Sequence, residues 1–143
     1  DVYLRSKRPR TYLLLRLDSW LADSGAVYDH KILTVEHVLP QTVPDGSYWA
    51  QKWPDQKVRD KWLHKLGNLL LLSRQKNSEA QNYDFLKKKE KYFTGRSGVS
   101  SFAVTTTVLD QDDWTEQVVI NRQEELIRRL VSGWNLVEMN ENT

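Results

Sequence analysis

Glu36-His37-Val38-Leu39-Pro40-Gln41 is the stretch on which the reading of this chain turns, followed by Leu66-Gly67-Asn68-Leu69-Leu70-Leu71-Leu72 and then by Lys76-Asn77. Residues 31–36 (KILTVE) are short and β-branched and predict a strand that ends at His37. An acid directly before a histidine at a strand end puts the two side chains on opposite faces of the strand, so one can bind a cation while the other reaches a water from another direction. Pro40 holds the chain beyond the histidine away from the ladder. The leucine run 69–72, flanked by Gly67-Asn68 and Ser73, predicts a second, buried strand, although an apolar run this short also suits a helix segment. From Arg74 the pattern turns helical, which sets Asn77 near a helix start. The result is a strand–strand–helix clamp around one cation, with Glu36 and Asn77 as its oxygen donors.

Oxygen-only ligation suits a hard ion such as Mg²⁺ (or Mn²⁺), which keeps several waters and accepts phosphate oxygens in its remaining positions. A zinc site would want more than one histidine or cysteine, and the chain has no cysteine at all. The same absence excludes disulfides and cysteine nucleophiles. A neutral imidazole titrates near neutrality, so His37 can take a proton from water.

The rest of the chain bounds the answer. With 143 residues, 39% hydrophobic and 28% charged, it reads as one globular domain able to bury a core of its own. No apolar run reaches the ~18–20 residues of a membrane span, and no apolar h-region follows the first residues. Asp1 rather than Met leads, so a piece of a longer protein is expected. Net charge is +2 but unevenly placed: residues 1–109 carry 18 basic and 11 acidic side chains, residues 110–143 carry 3 and 8. Such asymmetry suggests one face that can meet a polyanion, although a charge run also serves simply as a solvated face.

Around the central stretch the elements read as follows. Pro9 opens a helix in which Leu13, Leu17, Trp20 and Leu21 share a face, ending near Gly25. Residues 40–54, with three prolines and a glycine, predict a loop. Asp55 caps a short helix through Lys65, stopped by Gly67. Beyond Gln81-Asn82 a second helical piece sets Phe85, Leu86, Tyr92 and Phe93 on one face and Lys87, Lys88 and Lys91 on another, with Gly95 and Gly98 breaking it. Residues 100–109 predict a strand or extended arm. Asp113 and Glu116 form a D-x-x-E capping box for a closing helix that buries Val119, Leu126, Ile127, Leu130, Val131 and Trp134, followed by a polar tail after Leu136. The class is α+β with few strands.

The ordered set EHxxPQ, LGNLxLL and KN resembles the HNH, or His-Me finger, nucleases. More narrowly, EHVLPQ and LGNLLLL resemble the C-terminal nuclease domain of GmrSD-type, modification-dependent restriction proteins. The likeness is best over residues 35–93 and looser at the first and last helices. It implies a ββα-metal core within about 31–93, built on a short β-hairpin and surrounded by additional helices, inside a single domain spanning 1–143. It implies a metal-dependent endonuclease that nicks or cuts DNA in restriction of foreign DNA, in the cytoplasm, leaving 5′-phosphate and 3′-hydroxyl ends. By position His37 matches the general base and Glu36 the acidic ligand, where an aspartate is commoner. Asn68 matches the asparagine that braces the hairpin, with a directly catalytic role as the alternative. Asn77 matches the final metal ligand, often histidine, with helix capping as the alternative. The resemblance also implies a partner, an N-terminal nucleotide-hydrolysing and modification-sensing domain or subunit.

Arg74, Lys76, Lys87, Lys88 and Lys91, on or beside the metal-binding helix, are read as phosphate contacts. Asn82 either breaks the two helical pieces or helps position the ligands. His64 reads as a surface residue or a neighbour of the site rather than a base, and His30 has no assigned role. Trp49 and Trp53 either cover the core or stack on bases, the former being preferred. A non-catalytic DNA-binding module, a metal-dependent RNase and a protein-interaction domain are the rival readings.

Overall fold

The two expected strands exist and pair. In a computed structural model that describes residues 1–22, 32–94, 100 and 102–136, β1 (Thr34–His37) and β2 (Leu69–Leu72) run antiparallel, with His37 opposite Leu69 and Glu36 opposite Leu70. The expectations that fell on Gly25, His30, Lys31, Gly95, Gly98 and the tail after Leu136 lie outside the described residues. Alternation along β2 sends Leu70 and Leu72 into one apolar cluster, with Trp49, Trp53, Phe85, Phe93 and Trp114. Leu69 and Leu71 enter a second, with Leu14, Leu17, Val35, Phe102 and Leu126. Both faces of the strand are covered, which is why an uninterrupted leucine run suits it.

Helix α1 (Lys7–Leu21) carries Pro9 in its first turn and lies against β1, α5 (Ala103–Leu109) and α6 (Glu116–Gly133). The segment joining the strands is not wholly a loop. Ser47 accepts a hydrogen bond from Ala50 N and starts a short helix, α2 (Tyr48–Lys52). Asp55 caps α3 (Gln56–Trp62) as expected, its carboxylate accepting from Lys57 N at 2.8 Å. That helix ends at Trp62 rather than Lys65. Gly67 has a different reason to be glycine: it sits in the 3₁₀ turn Leu66–Asn68, where a Cβ would lie 2.6 Å from the Val119 carbonyl of α6.

Further expectations need correction. Residues 74–79 are not helical. Regular structure resumes only at the 3₁₀ turn Ala80–Asn82, followed by α4 (Phe85–Lys88) and a π turn, Lys89–Phe93. Phe85 and Lys88, three apart on one turn, both face inward while Leu86 is exposed, so the proposed lysine face does not exist. Residues 103–109 form a helix, α5 (Ala103–Leu109), despite their β-branched composition. Its threonines back-bond, Thr106 to the Phe102 carbonyl at 3.1 Å and Thr107 to the Val104 carbonyl at 2.7 Å. Thr105 reaches across to β2, donating to the Leu71 carbonyl at 2.6 Å. The closing helix α6 (Glu116–Gly133) is capped by Thr115, which accepts from Val118 N, while Asp113 accepts from Trp114 N and pairs with Lys52. Its inward face carries Arg122 between Val119 and Leu126, and Ile127 and Trp134 are exposed instead.

The order is thus α+β: helix, strand, two short helices, strand, then α4, α5 and α6. Among the described residues no helix is long and apolar enough to cross a membrane.

Candidate active site

The site is built where β1 stops. Beyond His37 the ladder is continued by Asn68: Val38 N donates to the Asn68 carbonyl at 3.0 Å and Leu39 N to its Oδ1 at 2.8 Å. Asn68 Nδ2 donates back to the Leu39 and Leu63 carbonyls at 3.1 and 2.9 Å, and Oδ1 also accepts from Trp114 Nε1 at 3.1 Å. Both ends of the carboxamide are therefore consumed in bracing, and Asn68 does not line the cleft. From the other side the buried Lys88 ammonium donates to the carbonyls of His37, at 3.2 Å, and Val38, at 2.7 Å. Burial pushes this lysine down to about 7, with Glu36 opposing. Lys88 is thus a strut under the site and cannot be the phosphate contact expected of it.

Glu36 and His37 line one cleft of about 60 Å³, together with Pro40, Gln41 and Thr42 of the following loop and Gln81 and Asn82 of the 3₁₀ turn. Adjacent residues of a strand share this cleft because it wraps the end of β1 rather than lying on one face. Both side chains are almost wholly buried. Burial is the main influence on His37 and, with the neighbouring His64 imidazole and the cations Lys76, Lys88 and Arg10, pushes it down to about 3. The imidazole is therefore neutral at physiological pH. Burial raises the Glu36 carboxyl, opposed chiefly by Lys76, and also by the Tyr92 hydroxyl and Lys88.

Among the described residues Glu36 Oε1 has no hydrogen-bond partner, the Lys76 ammonium standing 3.6 Å away. That oxygen is ion-paired with Lys76 but not hydrogen-bonded, so it keeps acceptor capacity that a further positive partner could use. Glu36 and the amide oxygens of Asn82 and Gln81 are hard donors on one small cleft, a set that fits a magnesium-like ion holding much of its water. Among the described residues no three of His, Cys, Asp and Glu stand together as a protein-only metal cage.

Asn77 is elsewhere. It is exposed, its Oδ1 accepts from Glu79 N and Ala80 N at 3.0 and 3.2 Å, and its backbone N donates to the Tyr92 hydroxyl. It shapes the turn that presents Asn82 and does not line the cleft itself. Lys76 is beside the site, donating to the Tyr3 hydroxyl at 2.8 Å. Arg74 turns to the Thr94 carbonyl, Lys87 lies over the Tyr83 ring at 3.9 Å, and Lys91 is exposed. Trp49 and Trp53 are buried in the core, their indoles donating to the Tyr83 and Trp114 carbonyls.

Two contributors, Tyr3 and Arg122, escaped the sequence reading, while His64, expected as a surface residue or a neighbour of the site, stands beside His37. His64 donates to or accepts from His37, and Tyr3 packs on both rings. Arg122, buried on α6, donates to the carbonyls of Leu66, Gly67, Leu69 and Val104 and so ties the turn before β2 to α5. Its position three after Val119 and four before Leu126 was the available signal.

A buried, neutral imidazole beside a carboxylate, held at the end of a braced two-strand ladder, is an arrangement able to take a proton from a water. The family described as GmrSD restriction endonucleases, C-terminal domain, matches residues 1–129, and the chain belongs to that family. Membership implies a nuclease, a hydrolase whose substrate is DNA. A comparison with curated proteins found no match.

Proposed function

We propose that the chain is a divalent-metal-dependent endonuclease domain of the HNH type, in which β1, β2 and the segment through α4 form the ββα-metal core. The observation that carries this is the shared cleft of Glu36, His37 and Asn82, in which Glu36 Oε1 is buried without a hydrogen-bond partner. Glu36 and Asn82 would hold the cation, Asn82 replacing Asn77 in that role. When bound, the cation supplies positive charge to the phosphoryl group and to the leaving oxygen.

The protein's own part begins with His37. Kept neutral by burial, it takes a proton from a water entering the cleft while that water's oxygen bonds to phosphorus. The P–O3′ bond breaks, leaving a 3′-hydroxyl once that oxygen is protonated and a 5′-phosphate on the other fragment. Lys88 and Asn68 keep the His37 backbone from shifting during this step, which matters because small misplacements of a catalytic group are costly. Lys76 stands where a non-bridging phosphate oxygen could be met. Restriction of foreign DNA in the cytoplasm, with an N-terminal nucleotide-hydrolysing and modification-sensing partner, completes the reading.

Incubating the chain with supercoiled plasmid and, in parallel, with RNA, with Mg²⁺, with Mn²⁺ or with EDTA, tests it. Nicked or linear plasmid with either ion and none with EDTA is expected. Cleavage of RNA alone would make it an RNase, and retention of DNA without cleavage in any ion would make it a binding module.

A further inference from the structure

The imidazoles of His37 and His64 are hydrogen-bonded, Nε2 of the first to Nδ1 of the second at 3.1 Å, with ring planes at 69°. A single hydrogen bond holds a single proton, and its owner decides what His37 can do. A neutral imidazole has one N–H and one lone pair. If His64 Nδ1–H were the donor, the His37 lone pair would be spent on that bond and its proton would sit on Nδ1. If His37 Nε2–H is the donor, Nδ1 keeps the lone pair.

The surroundings fix the pair in space. The Tyr3 ring meets His37 edge-on, centroids 4.1 Å apart, and stacks on His64 at 5.4 Å with planes 10° apart. Tyr3 is itself tied down: its N–H donates to the His64 carbonyl at 3.3 Å, its own carbonyl accepts from Arg10 Nη1 at 2.8 Å, and its hydroxyl accepts from Lys76. Arg10 and Lys76 belong to α1 and to the segment after β2, so three parts of the chain converge on one clamp. Neither Tyr3 nor His64 lines the cleft that His37 shares with Gln81 and Asn82.

We propose that His64 is a positioning residue of the site: it accepts the hydrogen bond of His37 Nε2–H and thereby fixes the tautomer that leaves His37 Nδ1 free to take the proton of the attacking water. The inference deepens the proposed function and rests on His37 being the base. In the step, the water's proton moves to Nδ1, the Nε2–H stays on His37, and the resulting imidazolium is stabilised by the His64 Nδ1 lone pair. Nothing on His64 is broken or formed except that this hydrogen bond strengthens as its donor becomes charged.

Two measurements test it. Long-range ¹H–¹⁵N spectra of the unmodified chain, with His37 assigned by His37→Gln, report its tautomer directly, and the Nε2–H form is expected. In plasmid cleavage, His64→Leu is expected to lower kcat about tenfold to a hundredfold, the range that loss of an imidazole's orienting partner costs, with KM for DNA nearly unchanged. His64→Asn, which can place an acceptor at the position of Nδ1, should recover most of that loss. The Nδ1–H form of His37 in the unmodified chain overturns the proposal whatever the variants do. So does parental kcat in a folded His64→Leu. If instead His37→Gln cleaves as the parent does, the reading of His37 as base fails, while the spectrum still decides the hydrogen bond.

Discussion

Asn68 and Leu39 exchange two hydrogen bonds through the Asn68 side chain, Leu39 N–H to Oδ1 at 2.8 Å and Nδ2–H to the Leu39 carbonyl at 3.1 Å. The carboxamide thus imitates a strand partner and carries the β1–β2 ladder two residues past His37. Because the pair is fully buried, Asn68→Ala strands the Leu39 amide, the Trp114 indole N–H and two carbonyls without water to replace their partner. At about 1–3 kcal/mol for each buried group left unsatisfied, a loss of roughly 3 kcal/mol or more in urea unfolding is expected, together with cleavage. A variant of parental stability would remove Asn68 from this role.

The two asparagines of the following segment should separate cleanly. Asn82→Ala is expected to raise the Mg²⁺ concentration needed for half-maximal cleavage and to leave the unfolding midpoint nearly unchanged. Asn77→Ala loses the cap over Glu79 and Ala80, for about 0.5–2 kcal/mol of stability, with little change in metal demand. A metal titration and a urea curve on each variant check this, and exchanged phenotypes would return the ligand role to Asn77.

Gly67→Ala probes the closeness of the turn to α6. Its Cβ would stand 2.6 Å from the Val119 carbonyl and 3.0 Å from Gln123 Cβ, so the helix or the turn must shift. Overpacking of this kind costs about 1–3 kcal/mol. The Tm should fall accordingly, and an unchanged Tm would mean the approach is looser than described.

Lys88 gives the molecule a pH-dependent stability of unusual sign. Below about pH 7 both folded and unfolded chains hold its proton, so the penalty of burying the charge is present in full. As pH rises from there towards 10.5, the folded molecule has released a proton that the unfolded chain still binds, so stability rises. Urea midpoints in EDTA between pH 6.5 and 9.5 should climb for the parent and climb less for Lys88→Met. Equal slopes would place the dependence on another group. In DNA binding, Lys88→Gln should leave the salt slope unchanged, since a lysine spent on the His37 and Val38 carbonyls releases no counterion from phosphate.

The strands, the α+β class and the Glu36–His37 pair were legible in the sequence because they rest on local pattern: β-branching in residues 32–37 and a run of leucines bounded by turn residues. Asn68 was legible as a brace. What failed was periodicity over the short helices. On α4 a single turn followed by a π turn leaves too little helix for a face to repeat, so a helical pattern wrongly sets Lys88 on a phosphate-binding face with Lys87 and Lys91. In α5 burial and threonine back-bonding outweighed β propensity. A helix beginning at Arg74 would set Asn77 near its start, but the irregular stretch and turn through residue 79 move the cleft-facing position onward to Asn82. Tyr3 comes from a segment that only the folded chain brings to His37, so nothing in its local pattern marks it, and for His64 the sequence leaves a surface place and a place beside the site open.

The central claim is that His37 is the base of a nuclease site at the end of β1. Cleavage of supercoiled plasmid by His37→Ala at saturating Mg²⁺, with DNA binding and the urea midpoint measured on the same preparation, tests it most directly. The account predicts that turnover is lost by about a hundredfold or more while DNA binding stays close to the parent, because a general base contributes only in the transition state; the urea midpoint falls, since a buried ring is removed, but the domain stays folded. Turnover near the parental rate in a folded, DNA-binding variant would contradict it.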